Sequence, residues 1–172
     1  MKRVTLDTNM LPADDLLEAA QGRGFQFARV TVTDREVEGT QFQVHLVGLG
    51  TVAETAVWDE SRWDEAVWAS EDSSLEEILQ IISNGSFPRS RDSLSAGQRR
   101  QLRDAMILEA HIREGRDIFV SNDCRAFIRD GRREQLEANF KTKIMVLEEF
   151  ESLLQRAAAQ QGDEPDDVAR RR

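Results

Sequence analysis

Short β-rich runs, each ending at a polar turn that leads into a helical pattern, constrain the fold of this chain more than any other feature. Runs of this kind occupy residues 3–6, 25–32, 117–121 and 143–147. When strands and helices alternate along a chain, each helix crosses back over the sheet, and the strands that it joins lie parallel. The sequence therefore predicts an α/β fold of three layers, with helices on both faces of a central, mainly parallel sheet.

Three capping boxes mark predicted helix starts, and one of them, Ser73 to Glu76, opens a helix that runs through Ile82. Ser95, followed three residues later by Gln98, begins a long helix whose apolar residues recur at helical spacing until Gly115. Thr33 and Glu36 have the same spacing and predict a helix shortly after the second strand. In this interpretation the Glu36 side chain reaches back to the start of its helix, which leaves Glu38 without a local role.

The segment 41–94 is the least regular part of the chain. Alternating apolar residues and two glycines near its start predict an inserted hairpin, and short helices follow. At 172 residues the chain has the size of one domain, which we assign to residues 1–155. The remaining residues, 156–172, lose the apolar periodicity and predict a disordered tail.

The composition narrows the classes of function. One cysteine and two histidines exclude an internal disulfide and give no zinc-site spacing. The net charge of −9 argues against broad, non-specific nucleic-acid binding, which needs clustered Lys and Arg. An excess of carboxylates also suits a site where several converge on a divalent cation. The chain has no apolar run of membrane-spanning length and its first residues lack a signal-peptide pattern, so we expect a cytoplasmic protein.

Acidic residues follow two of the predicted strands. Asp7 and Asp123 each stand where a strand passes into a helix, at the carboxyl edge of the predicted sheet, which is where open α/β sheets bind ligands. Asp104 lies in the long helix that precedes the strand before Asp123, and Glu38 lies in the helix after the second strand. We therefore expect four acids to meet at one edge of the sheet.

This arrangement resembles the PIN domain, the fold of many metal-dependent ribonucleases, including the toxin nucleases of bacterial toxin–antitoxin pairs. The resemblance covers about residues 1–40 and 95–150, whereas residues 41–94 depart from the family pattern and form an atypical insert. Four stretches carry it: VTLDTNM, VTVTDREVEG, DAMILEAHIREGRDIFVSND and RREQLEANFKTKIMVLEEF.

The resemblance implies a PIN-like fold, a site that binds Mg²⁺ or Mn²⁺, and hydrolysis of RNA phosphodiester bonds. Matched stretch by stretch, its metal ligands fall on Asp7, Glu38, Asp104 and Asp123. Polar neighbours that help to hold metal, water or phosphate fall on Thr8, Asn9, Ser121 and Asn122. Hard divalent cations take oxygen ligands of this kind, and a metal-bound water can be the nucleophile for phosphodiester hydrolysis without a catalytic His or Ser.

Arginines follow Asp123 closely and are candidates to contact RNA phosphates. Arg125 is the nearest of them, and the others are Arg129, Arg132 and Arg133. The same spacing also fits the solvated face of an ordinary helix.

Several alternatives remain open from the sequence. Asp7 and Asp123 could serve only as helix caps. The three tryptophans could stack on bases, but such residues more often anchor a core or an interface. The whole chain could be a non-catalytic PIN-like RNA-binding or scaffold module, or a receiver-like or phosphatase-like domain that uses Asp7 as a nucleophile. An antitoxin-like partner and a homodimer are also left open.

Overall fold

The computed structural model describes residues 1–71 and 73–162. Five parallel strands form its central sheet, in the order β3-β2-β1-β6-β7, and β4 and β5 form a separate parallel pair. The strands are β1 Lys2–Leu6, β2 Phe25–Val30, β3 Gly50–Val52, β4 Glu54–Thr55, β5 Ala66–Val67, β6 Ile118–Val120 and β7 Lys143–Met145. The helices are α1 Asp14–Ala20, α2 Thr31–Val37, α3 Leu75–Ile82, α4 Ala96–Arg113, α5 Arg132–Phe140 and α6 Leu147–Gly162.

Two apolar cores lie on opposite faces of the sheet, so the predicted three-layer α/β/α arrangement is confirmed. One core packs α3 and α4 against residues such as Val30 and Phe119. The other packs α1 and α6 against residues such as Leu6 and Phe27. Phe150 of α6 meets Phe25 and Phe27 edge to face, which joins that helix to β2.

Helix α4 begins as its sequence predicts. The Ser95 side chain accepts a hydrogen bond from the Gln98 backbone N–H at 3.2 Å, and the Gln98 side chain accepts one from the Ser95 N–H at 2.8 Å. This reciprocal cap satisfies two N–H groups that a helix start would otherwise leave unpaired. The inner face of α4 is fully buried at Leu102, Met106 and Ile107, which fixes the rotation of the helix. The directions in which the other side chains of α4 project are therefore fixed as well.

The predicted hairpin within the insert is wrong. Residues Gln41–Leu46 form a 3-10 helix, and β3 then pairs parallel to β2 as an edge strand of the main sheet. The alternating residues Phe42, Val44 and Leu46 lie in a surface turn whose residues are all at least partly exposed. Their alternation therefore does not reflect a strand with one buried face. Such a short alternating run does not distinguish a strand from a tight helix.

Buried polar contacts attach the insert to the rest of the domain. Glu54 of β4 is fully buried, and its Oε2 accepts hydrogen bonds from the Thr31 hydroxyl at 3.0 Å and from Arg35 at 2.6 Å. The neighbouring Thr55 hydroxyl donates to Glu109 of α4 at 2.6 Å. Because buried charges need partners, these contacts hold the insert firmly against α2 and α4.

The helix after β2 starts three residues earlier than predicted, because its N-cap is Val30 and not Thr33. Helix α2 begins at Thr31, with Val30 at its N-cap, and no side chain caps it. The predicted capping box of Thr33 and Glu36 is therefore wrong, and Glu36 has no backbone to cap. An apolar strand residue that runs directly into a helix leaves no sequence signal for the boundary.

The strand order changes direction at β1. From β1 the chain adds β2 and then β3 on one side, and it returns to place β6 and β7 on the other. At such a switch point the loops after the two neighbouring strands separate and leave a crevice at their carboxyl ends. Asp7 directly follows β1 and Asp123 lies three residues after the end of β6, so both predicted acids stand beside this crevice.

The first residues of the predicted disordered tail are helical. Helix α6 continues to Gly162, so residues 156–162 are helical, and residues 163–172 lie outside the described residues. Within the described residues, no helix is long and apolar enough to cross a membrane.

Candidate active site

Asp7 is the most deeply buried acid at the crevice, with 2% of its surface exposed. Its Oδ1 accepts a hydrogen bond from the Thr8 backbone N–H at 2.8 Å. Its Oδ2 accepts from the Ser121 hydroxyl at 2.6 Å and from the Asn9 amide at 2.7 Å. Burial raises the pKa of Asp7 to about 6, which the Ser121 bond opposes and the charges of Glu36 and Asp123 reinforce.

Ser121 and Asn9 form a framework between the loops after β1 and β6. Ser121 is fully buried, donates to Asp7, and accepts from the Asp123 backbone N–H at 3.0 Å. The Asn9 side chain accepts from the Asn122 N–H at 3.0 Å, and Asn122 in turn accepts from the Leu147 N–H at 3.1 Å. The structure therefore places Ser121 in a buried position that supports the acids, and its substrate contact stays a prediction.

Asp123 uses one oxygen to cap the short helical turn Cys124–Ile128. Its Oδ1 accepts from the backbone N–H groups of Arg125 and Ala126, both at 2.9 Å. Among the residues that the structure describes, its Oδ2 has only a distant cation, Arg100, at 3.9 Å. The capping role that the sequence left open is therefore present, and it leaves one carboxylate oxygen available at the crevice.

Glu36 joins this group, and the expectation that Glu38 does so is wrong. Glu36 Oε2 accepts from the Thr8 hydroxyl at 2.5 Å, and that hydroxyl also lies 3.0 Å from the Thr33 hydroxyl. Glu38 follows the last residue of α2 and pairs at the surface with Arg62 at 2.5 Å. Because α2 starts at Thr31, Glu36 lies on the same helical face as Thr33, which faces the loop after β1. That three-residue spacing is the signal that could have identified Glu36.

Asp104 projects from α4 into the same crevice. It is half-buried, and within the part of the chain that the structure describes its carboxylate has no hydrogen bond or ion pair. Burial, followed by the charges of Asp7, Asp123 and Glu36, raises its pKa to about 8, and Arg100 one turn earlier only partly offsets this. An unpartnered carboxylate facing three other acids favours a bound cation.

The four acids line one cavity of about 590 Å³. A carboxylate has about four lone-pair sites. Asp7 uses three, Asp123 two and Glu36 one, so oxygen acceptors remain on each of them and on Asp104. Hard cations such as Mg²⁺ and Mn²⁺ prefer this donor set. As the side chains stand, however, no three His, Cys, Asp or Glu residues among those described form a group that could hold a metal ion. Metal binding would therefore require these side chains to rotate towards one another.

A second cavity, of about 930 Å³, adjoins the first and shares Asp104 and Asp123 with it. Predicted phosphate contacts Asn122 and Arg125 line it, and so does Arg100, which the sequence did not single out. Arg129 and Arg132 line it too. Although the chain is acidic as a whole, this wall concentrates guanidinium groups beside the acids. Such a rim fits the phosphates of a nucleic acid.

No protein-family model matches this chain, and neither a curated protein nor a solved structure is significantly similar to it. The resemblance to PIN domains therefore stays a resemblance of motifs.

The metal-free protein should lose stability as the pH rises from 6.5 to 8. Asp7 and Asp104 have folded-state pKa values of about 6 and about 8, so the folded protein holds protons that the unfolded chain releases near pH 4. Stability from these protons is present at low pH and disappears as the pH passes through the folded values. Melting temperatures in chelator should fall across this range, and Asp104→Asn should flatten the slope.

A buried histidine, His111, limits that test to the range above pH 6.5. His111 is fully buried between the hydroxyls of Thr5 and Thr142, and burial lowers its pKa to about 3. The contribution of neutral His111 to stability is present above its ordinary pKa of about 6.5 and disappears as the pH falls. Below pH 6.5 it therefore opposes the stability gained from protons on the acids. A wild-type melting temperature that rises between pH 6.5 and 8 would contradict the raised pKa values of Asp7 and Asp104.

Glu36→Gln should impair any metal-dependent activity, whereas Glu38→Gln should not. Glutamine can still accept the Thr8 hydroxyl but removes a charge from the cavity, so we expect metal affinity to fall at least about tenfold. Glu38→Gln loses only a solvent-screened ion pair with Arg62 and should leave affinity and melting temperature nearly unchanged. Calorimetric titration of both variants with Mn²⁺ measures this, and the reverse order would restore Glu38 to the site.

Proposed function

We propose that this protein is a PIN-like endoribonuclease that hydrolyses RNA phosphodiester bonds with Mg²⁺ or Mn²⁺. One observation carries the proposal: Asp104, without a partner among the described residues, faces Asp7, Glu36 and Asp123 in one cavity at the switch point of a parallel sheet. Arg100, 3.9 Å from Asp123, only partly offsets the repulsion among these converging acids, so a structural ion pair does not explain the group.

The chain's own residues have distinct roles in this proposal. Asp104, with both oxygens unbonded among the described residues, and Asp123, through its Oδ2, would hold the cation, with Asp7 and Glu36 completing its ligands. When bound, the cation would supply an activated water and stabilise the leaving oxygen. Ser121, from the loop after β6, and Asn9, from the loop after β1, keep Asp7 oriented. Arg100 and Arg125, at the adjoining cavity, would bind phosphates and align the RNA backbone.

Cleavage of end-labelled, single-stranded RNA tests this function. We expect products with Mg²⁺ or Mn²⁺, none with chelator, and none from Asp104→Asn purified in the same way, which controls for contaminating nucleases. A wild-type protein that fails to cleave with either metal would contradict the proposal.

A non-catalytic RNA-binding module is the second candidate. It is favoured by the finding that the described acids do not already form a metal-holding group. The same assay separates the two: RNA retention on a filter without metal-dependent products would select the binding module. A cytoplasmic location, an antitoxin-like partner and a homodimer are further proposals, to be tested by cell fractionation, co-purification and sedimentation.

A further inference from the structure

Three tryptophans form an exposed patch on the insert, away from the acidic cavity. Trp58, Trp63 and Trp68 are 77%, 70% and 75% exposed, and none belongs to either core. Trp63 is central, with its ring centroid 5.9 Å from that of Trp58 and 5.4 Å from that of Trp68. Each tryptophan offers roughly 150–250 Å² for burial, so the three together form a patch, the tryptophan patch, of about the size of the largest on an ordinary monomer, which is often functional.

The backbone beneath the patch is fixed. Ser61 accepts from the Val57 N–H at 2.9 Å, and the Ser61 N–H donates back to the Val57 carbonyl at 2.9 Å. Glu60 is buried and pairs with Arg99 at 2.5 Å and Arg103 at 3.1 Å, which ties the turn to α4. The rings are thus presented on a rigid support, and a ligand would not have to order the loop.

A pocket of about 420 Å³ opens beside the rings. Its walls include the apolar side chains of Ala56, Val57 and Ala66. A concave apolar wall next to exposed aromatic rings is the form of an interface hot spot, in which one anchor side chain enters a pocket and rings surround it.

The charges around the patch select the occupant. Asp59, Asp64 and Glu71 are exposed and have no ion pair within the described residues. Arg62, the local cation, is already paired with Glu38 and Glu65. The border of the patch is therefore negative. Cationic side chains would gain both charge attraction and contact with the indole faces.

The same border disfavours the other occupants. RNA would bring phosphates against unpaired carboxylates, and nucleic-acid affinity depends on the opposite charge. A two-fold dimer through the patch would place the same acids of two copies against each other. We propose that the tryptophan patch is a docking surface for a protein segment that carries Lys or Arg beside an apolar anchor residue. This proposal does not depend on the nuclease function.

The chain provides its own probe for this surface. It contains three tryptophans and no tyrosine, so its near-ultraviolet emission reports the patch alone. The full chain would be titrated with a short amphipathic peptide of leucine and lysine, with the same peptide carrying glutamate for lysine, and with oligouridylate. We expect the lysine peptide to shift the emission to shorter wavelength, and its binding to weaken as the salt concentration rises. The glutamate peptide and oligouridylate should produce no shift.

Three variants separate specific docking from general attraction to an acidic protein. Trp63→Ala should lower the affinity for the lysine peptide at least about tenfold, since central aromatic anchors dominate such interfaces. Asp59→Asn combined with Asp64→Asn should lower the same affinity several-fold. Asp15→Asn combined with Glu18→Gln removes the same charge from exposed positions on α1 and should change nothing.

Four results would overturn the proposal. These are an equal response to the glutamate peptide, a larger response to oligouridylate, an equal loss in the α1 control, and emission that depends on protein concentration without any peptide. The second would assign the patch to nucleic acid, and the last to a second copy of the chain. Circular dichroism of each variant confirms that it remains folded.

Discussion

Asp104→Asn is expected to stabilise the metal-free protein while abolishing its response to metal and its activity. Asparagine keeps the shape of the side chain but removes the charge that burial and three neighbouring acids oppose. One pKa unit corresponds to about 1.4 kcal/mol. Even a strongly screened fraction of the shift should therefore raise the melting temperature by about 2–4 °C for a chain of this size.

The catalytic effect of this substitution should be larger than its effect on stability. Partners that only orient a metal ligand change affinity or activity by about 10–100-fold. Loss of a ligand should exceed that, so cleavage should fall more than about a hundredfold. Melting curves and cleavage rates, each with chelator and with Mn²⁺, measure both effects.

Asp130→Asn is the matched control for Asp104→Asn. Asp130 also lies beside the arginine-lined cavity, but it is exposed and is not among the four converging acids. Its backbone has a positive φ of 59°, which asparagine adopts readily, so the control should fold normally. If both substitutions had the same consequences, the unpartnered carboxylate of Asp104 would have no special role.

Ser121→Ala should destabilise the protein and reduce cleavage together. The hydroxyl is fully buried and serves Asp7, Asn9 and the Asp123 backbone at once. Removing it leaves buried polar groups without a partner, at a cost of about 1–3 kcal/mol. Because Asp7 and Asp123 also lose their common support, activity should fall about 10–100-fold.

The pH profile of Ser121→Ala distinguishes positioning from general destabilisation. The Ser121 hydrogen bond lowers the pKa of Asp7 in the folded protein, so its loss should move the acidic limb of the cleavage profile to higher pH. Ser152→Ala, which removes a surface hydroxyl bonded to the Glu148 carbonyl, should affect neither stability nor profile. An unchanged acidic limb, despite lower stability, would show that Ser121 supports the fold alone.

The sequence predicted the sheet and most of the site because both depend on local signals. Apolar strand runs, the Ser95 cap and acids placed after strands can each be recognised within a few residues of sequence. The positions of Asp7 and Asp123 after their strands follow from these signals. The error at Glu36 and Glu38 arose from a helix start that no capping side chain marks. The helix starts three residues earlier than the capping box predicted, and this changed which glutamate faces the crevice.

The insert could not be predicted from local pattern, because distant contacts determine its form. Glu54 and Thr55 are polar residues in a strand pair that is held by Thr31, Arg35 and Glu109. Nothing in the sequence near residue 54 indicates that a charge there is buried. Likewise, the alternation around Val44 predicted a strand, although those side chains lie on the surface.

The hydrogen bond between Ser121 and Asp7 joins residues that are 114 positions apart in the chain. Neither loop holds this arrangement by itself, because each supplies only part of the framework and β1 must first pair with β6. During synthesis on the ribosome, Asp7 is made early, yet it stays without its supporting hydroxyl until the sixth strand has emerged and entered the sheet. Any hydrolytic activity would therefore appear late in translation, after most of the domain has left the exit tunnel.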